Sequence, residues 1–457
     1  MTQLDASARE DLPPIEDVAA LSAYLASGCK PVAEWRIGTE HEKFGFLTDS
    51  YAPLPFSGER SIEAVLHRLS AQYGWTPLHE GDALVALKKE GASITLEPGG
   101  QFELSGAPLV SLHETCNEVH THLAEVKAVA EPLGIGFIGL GAAPSWSRDD
   151  MPKVPKGRYT IMRNYMPKVG SLGLDMMHRT ATVQVNLDFA SEADMVMKFR
   201  TALALQPLAT ALFANSPFID AAFSGYRSFR AHIWTDTDPD RTGMLDFVFE
   251  DGFGFERYTE YMLDVPMYFL WRDGDYVDVA GQSFRDLLAG ELPGAPGQLP
   301  TLEDWKDHLS TAFPEVRLKT FLEMRGADSG SWGRICALPA FWVGLLYDDQ
   351  SLNAAWDLVR HWSQETRAAF RHDAAKEAMA ATVDGRPVTD LAREVLALSA
   401  AGLQRRACRG SSGRDERTFL DPLVEIAETG KSFACTLLHD VDAAGGDFTA
   451  LFDKYAF

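Results

Sequence analysis

Residues Thr180 to Phe189 alternate without a fault: Thr180, Thr182, Gln184, Asn186 and Asp188 fall on one side of an extended chain, and Ala181, Val183, Val185, Leu187 and Phe189 on the other. Successive strand side chains point to opposite faces, so the pattern calls for a sheet with one packed apolar face and one polar face. Three further segments repeat it and add charge. Arg36 to Phe44 sets Glu40 beside Glu42. Ser93 to Ser105, broken at Pro98-Gly99-Gly100, carries Thr95 and Glu97 before the break and Gln101, Glu103 and Ser105 after it. Phe321 to Arg325 sets Glu323 beside Arg325. If the four segments share a sheet, its polar face bears Glu40, Glu42, Glu97, Glu103 and Glu323.

Carboxylates gathered on one face repel one another unless cations neutralise them, and hard oxygen donors suit magnesium or manganese. A solvated outer face also alternates, so periodicity alone leaves both readings open. Gly38, Pro98, Gly99, Gly100 and Gly106 weigh toward a site, because they permit close backbone approach and sharp breaks that a plain outer strand does not need. Metal ions held by carboxylates orient nucleotide phosphates and offset charge in phosphoryl transfer. The segment Lys153 to Lys168 supplies the opposite sign, with Lys153, Lys156, Arg158, Arg163 and Lys168 among the aromatic Tyr159 and Tyr165. Phosphate binding is one reading of it and loop charge balance the other. Arg227 and Arg230 are candidates for a substrate carboxylate, since guanidinium forks bind carboxylates in bidentate fashion, or else structural ion pairs.

The rest of the chain narrows the class. With 42 basic against 65 acidic side chains in 457 residues, a net charge of −23, nucleic acid is a poor partner. The apolar stretch 201–218 contains Gln206, Pro207 and Asn215 and reads as a buried helix, so no membrane partner is expected. Five scattered cysteines without a Cys-x-x-Cys pair suggest reduced thiols, and the acid-bearing N-terminus without an apolar run suggests a cytoplasmic location. Helices are expected over 10–28, 60–73 and 110–132, from a cap at Ser191 through Ala214, and as a layer over 350–457 packed on a single catalytic domain spanning 1–457. Gly134, Gly136 and Gly139 fit G-x-G-x-x-G but follow a helix, and Gly430-Lys431-Ser432 lacks the upstream glycine of a phosphate loop. Asp236, Asp238 and Asp240 begin like a calcium loop but read as a solvated turn, while His113, Cys116 and His120 share a helical face that reads as helix surface.

The stretches IGTEHEKFGF, ITLEPGGQFELSGAPL, GRYTIMRNYMPK, HIWTDTDPDRTGML, FPEVRLKTFLEMRGAD and CALPAFWVGLLYDD closely resemble the glutamate–cysteine ligases of the plant and proteobacterial type, over most of residues 35 to 350. The resemblance implies an α+β fold like the catalytic domain of glutamine synthetase, a curved, mainly antiparallel sheet forming a cup surrounded by helices. It implies ATP-dependent ligation of glutamate's γ-carboxylate to the cysteine amine through a γ-glutamyl phosphate, the first step of glutathione synthesis. On it, Glu40, Glu42, Glu97, Glu103 and Glu323 look like ligands of Mg2+, with Mn2+ possible. Arg325 looks like a phosphate contact and Arg230 the choice for glutamate, both as catalytic residues, with Lys156, Arg158, Arg163, Lys168 and Asn186 as the ATP-binding set. The wider superfamily has a histidine on the central strand where this chain has Gln184. Plant members carry a redox-active cysteine pair flanking the segment that is Gly281 to Pro293 here; Val279 and Gly294 stand at those positions, which implies that the switch is absent and leaves monomer or homodimer open. A ligase for another amine, a non-catalytic nucleotide or amino-acid sensor, and a metal-dependent hydrolase are the alternatives.

Overall fold

The structure, a computed structural model, describes residues 12–15 and 17–457. Part of the helix expected over 10–28 falls outside the described residues; what is described is helical over Val18–Ala26 (α1), where the Asp17 side chain accepts from the Ala19 N–H at 2.9 Å.

Nine strands form one sheet: β1 Ile37–Leu47, β2 Thr76–Glu80, β3 Ala83–Lys89, β4 Ala92–Leu96, β5 Phe102–Ser105, β6 Ile135–Ile138, β7 Thr182–Leu187, β8 Val316–Leu318 and β9 Leu322–Asp328. Their order is β8-β9-β7-β1-β5-β4-β3-β2, with β6 joining the far end of β1, and every pairing is antiparallel. The sheet does not close on itself. Register shifts between Met324 and Ala327 in β9 and between Leu78 and His79 in β2 bend it, as bulges do. The α+β class and the antiparallel sheet thus agree with the sequence reading, as do the four charged strands, which all lie in this sheet.

Register decides which side chains meet, because residues directly opposite one another share a face. Glu40 stands opposite Gln184 and Ser105, Glu42 opposite Glu103, and Glu103 opposite Thr95. Asn186 stands between Gly38 and Glu323, and Glu323 opposite Arg317. The reverse face carries Val183, Val185, Leu187, Phe102 and Leu104, all buried.

Helices cover that apolar face. Of α2 Ile62–Tyr73, α3 Leu112–Ala130, α4 Gly157–Tyr165, α5 Glu192–Phe213, α6 Trp332–Leu346 and α7 Val388–Arg406, the helices α2, α3, α5 and α6 contact the sheet, α7 packs on α6, and α4 lies against the strand Asp275–Asp278. Helix α5 starts at the expected Ser191, whose hydroxyl accepts from the Asp194 N–H at 3.2 Å, and it is buried continuously from Thr201 to Phe213. It packs on β9, where the Gln206 side chain accepts from the Gly326 N–H at 3.1 Å inside the bulge, which explains one polar residue in an apolar helix. Helix α6 lies against β7, α3 and α7, and one apolar cluster runs from the sheet through α5 and α6 into α7.

Two motifs take on a different character in three dimensions. Asp238 is not a solvated turn residue: it is fully buried and paired with Arg241 at 2.6 Å, an arginine that also caps the Thr311 and Pro266 carbonyls and stacks on Tyr268. The helix-surface reading of His113, Cys116 and His120 fails at Cys116, which is buried against Cys336, while His113 packs on Phe419 and His120 on Trp332. Positions 279 and 294 face each other, since a Cβ on Gly294 would come within 2.6 Å of Val279 Cγ1.

Candidate functional site

The polar face of the sheet is built from the middle outward. Strand β1 contributes Gly38, Glu40 and Glu42 in succession. The glycine leaves room that a side chain would take, because its Cβ would lie 3.2 Å from that of Asn186. Asn186 uses its amide nitrogen on Glu40 at 2.8 Å, and its Oδ1 is buried with no hydrogen-bond partner among the described residues. Glu42 accepts the Thr182 N–H at 3.0 Å, and Glu103 accepts the Thr95 hydroxyl.

These carboxylates disturb one another. Burial, then Glu323 and Glu103, raise the Glu40 carboxyl above its ordinary range. Burial, then Glu97 and Glu103, raise Glu42 well above it, and burial with Glu97 raises Glu103. Glu97 precedes the Pro98-Gly99-Gly100 turn, whose hairpin closes through the Glu97 N–H donating to the Gln101 carbonyl at 3.0 Å. That turn is pinned from below, where Gln101 donates to the Thr180 carbonyl at 2.8 Å and to that of Met177 at 3.2 Å. Gln101 is therefore a brace and not a member of the acidic set.

Glu323 differs from the other four. Arg317 grips it with two parallel bonds, Nε to Oε2 at 2.5 Å and Nη2 to Oε1 at 3.0 Å, with Arg325 at 3.1 Å and Lys319 at 3.7 Å. Burial would raise its carboxyl, but these three cations hold it far below the usual range. Arg325 also donates to the Gln184 side chain at 2.5 Å, so the residue standing where the superfamily has histidine orients a guanidinium.

The other expected cations divide. Lys156 is buried beside the acids, donates to the Leu96 carbonyl at 3.0 Å, and has its pKa lowered to about 8 by burial and by Arg158, against the pull of Glu97 and Glu103. Arg158 lies over the Tyr159 ring, within the field of Glu97. Arg163, in the last turn of α4, instead bonds Thr160 at 3.0 Å, and Lys168 is exposed on the turn Met166–Lys168 that follows; the structure does not bring these two to the acids. Arg230 is buried, donates to the Arg325 carbonyl at 2.9 Å and counters Glu42, whereas Arg227 lies elsewhere, over Phe223.

The sequence reading passed over Arg317 and Lys319. They too are two residues apart on a strand leading into the Glu323 hairpin, so the same period-two test finds them. It also passed over the back of β1. His41 and Lys43 point into the apolar side, where Lys43 donates to the Phe102 carbonyl at 3.2 Å and His41 meets His122 edge-on at 5.4 Å.

No group of three or more His, Cys, Asp or Glu among the described residues stands ready-made for a metal ion. The donor chemistry nonetheless fits a hard divalent cation: Glu40, Glu42 and Glu103 are raised by burial and then by neighbouring carboxylates, with the Asn186 oxygen beside them.

Residues 36–453 match the model of the glutamate-cysteine ligase family 2. Glutamate–cysteine ligase B, chloroplastic, of Oryza sativa subsp. japonica is 56% identical over 419 residues, 92% of this chain and 83% of that one. The chloroplastic glutamate–cysteine ligase of Arabidopsis thaliana is 56% identical over 418 residues, covering 92% of this chain and 78% of its own. Among solved structures, the glutamate–cysteine ligase of Francisella tularensis in complex with AMP superposes with a TM-score of 0.54 at 12% identity, over 91% of this chain and 86% of that one. A bifunctional glutathione synthetase from Pasteurella multocida gives 0.52 at 12% identity, over 97% of this chain and 54% of that one. Both share the fold. The relatives also correct one expectation: they are named chloroplastic, which overturns the cytoplasmic reading. An address is read from targeting segments and not from the residues that build a fold, so acids at an N-terminus were no guide to it.

Proposed function

The chain belongs to the glutamate–cysteine ligase family, and from that premise we propose that the acidic sheet face carries out the family's reaction, in which ATP phosphorylates the γ-carboxylate of glutamate and the cysteine amine displaces phosphate. The chain is then a ligase that forms γ-glutamylcysteine. The observation that carries the reading is one surface on which Glu40, Glu42, Glu97 and Glu103 face Lys156, Arg158, Arg230 and Arg325.

A carboxylate is a poor electrophile until it gains a leaving group, and the acyl phosphate supplies one. Glu40, Glu42, Glu97 and Glu103, with the Asn186 oxygen beside them, would hold Mg2+ or Mn2+. Glu323 would join them with lone pairs left over from Arg317, since an ionised carboxylate has about four acceptor sites. Bound there, the ions neutralise phosphate charge. Arg325, fixed between Gln184 and Glu323, meets the transferring phosphoryl group, and Lys156 and Arg158 offset charge from the opposite edge. Arg230 donates to the α-carboxylate of glutamate, its fork held by a further bond to the Arg325 carbonyl. The whole chain acts as one catalytic unit, with the helices after residue 350 supporting the sheet from behind.

The test is phosphate release from ATP and Mg2+ with glutamate, with and without cysteine, for the wild type and Glu42→Gln. Release that needs both amino acids, yields γ-glutamylcysteine and is lost in the variant supports the reading. Release with another amine moves the substrate, and none with any amine overturns the enzyme.

A further inference from the structure

Arg334 lies in the first turn of α6, yet it is only 5% exposed, and its Nε, Nη1 and Nη2 have no hydrogen-bond partner among the described residues. Its guanidinium sits between two rings, 5.8 Å from the centre of Phe213 and 5.2 Å from that of Phe433. Its stem packs so closely on Gly330 that a Cβ there would come within 3.1 Å of Arg334 Cδ. Burial lowers the group to about 10, so it remains a cation at neutral pH.

The neighbouring counter-charge is Asp328, and that carboxylate is already engaged. It accepts the Asn215 N–H at 2.8 Å and the hydroxyls of Ser216 and Ser228, each at 2.7 Å, and its strongest cationic neighbour is Arg230. Two buried guanidiniums therefore share one carboxylate. Arg230 has Glu42 as a second counter-charge and the Arg325 carbonyl as an acceptor; Arg334 has neither. A guanidinium presents five donors and no acceptor, and a buried cation left without partners is strongly unfavourable. The positive end of the 15-residue helix α6 adds to the local charge.

We propose that Arg334 holds a buried monoanion of the halide class, chloride or bromide, between the end of α5, the start of α6 and the helix Phe433–Ala443. A halide carries the single charge that balances Arg334, and it gives up its water more readily than phosphate or sulfate, which bring more than one charge. The site lies outside the sheet face and does not depend on the ligase reaction.

Thermal unfolding of the wild type, titrated with sodium chloride or bromide against sodium gluconate at constant ionic strength, should show a saturable rise in Tm of several degrees. Arg334→Met should lose it, and Arg334→Lys should shift saturation to at least tenfold higher halide. Crystals grown in bromide should show an anomalous peak beside the guanidinium of the wild type. A halide response unchanged in Arg334→Met overturns the proposal. So does water in place of bromide in the wild type, a result that stands even if the methionine variant does not fold.

Discussion

Glu42 shows how function and stability oppose each other at a single residue. Its carboxylate is buried among Glu97 and Glu103, with Arg230 and one backbone N–H against them. Glu42→Gln removes a charge that the apoprotein has to bear, so Tm without divalent metal should rise while ligase activity with ATP and Mg2+ falls by ~100-fold or more. A variant less stable than wild type without metal would show that the repulsion is already met. Arg317 should behave in the opposite way. Arg317→Met leaves Glu323 short of its closest partner inside the protein, and breaking a buried pair by removing one member costs about 3–5 kcal/mol, measurable by urea unfolding. His308 carries a pH dependence away from the site. It is buried, bonds the Met262 carbonyl at 2.7 Å and stacks on Phe284, and burial, with Arg241, lowers its pKa to about 4. An unfolded histidine titrates near 6.5, so between the two values the unfolded chain takes the proton first. The contribution is complete above pH 6.5 and is lost as pH falls toward 4, by up to about 3 kcal/mol. His308→Phe should flatten that part of a stability–pH curve measured by urea midpoints.

Elements bring such residues together, and the Pro98-Gly99-Gly100 turn is the clearest case. A Cβ on Gly99 would lie 2.3 Å from the backbone oxygen of His178, and Gly100 adopts a φ of +77°. Gly99→Ala has no flexible side chain to displace, so it should move the turn and Glu97 with it; we expect a loss of about 2 kcal/mol or more by urea unfolding and a higher KM for ATP. The alternation of Thr180 to Phe189 was legible because β7 is central, with neighbours that hold the two faces in different surroundings. The register that sets Glu42 opposite Glu103 and Arg317 opposite Glu323 was not legible, because pairing across strands depends on turns and bulges at both ends. Arg163 and Lys168 show the same limit in a helix. Five basic residues close in sequence looked like one cluster, but only the start of α4 brings Lys156 and Arg158 to the acids, while Arg163 in its last turn bonds Thr160 and Lys168 lies beyond it on the exposed turn Met166–Lys168.

At the scale of the whole molecule, the largest apolar cluster joins strands β7 and β9 to the helices and takes in the buried length of α5. Leu208 is fully buried there. Leu208→Ala should cost about 2–5 kcal/mol, and tryptophan fluorescence and far-ultraviolet circular dichroism should shift together, since β9, α5 and α6 lose the same contacts. Separate midpoints would show that the helices after residue 350 unfold on their own. Local chemistry alone determined the period-two strands, the buried character of α5, the breaks at glycine and proline and the identity of the acids, because hydrophobic alternation and backbone freedom act within a few residues. Only the tertiary structure decided that Glu323 is gripped by Arg317, that Asp238 pairs with Arg241 in the core, that Arg230 rather than Arg227 reaches the site, and that Arg334 is buried with no hydrogen-bond partner among the described residues. Each of these depends on which distant segment displaces water from a charged group, and burial of that kind is a property of the assembled fold.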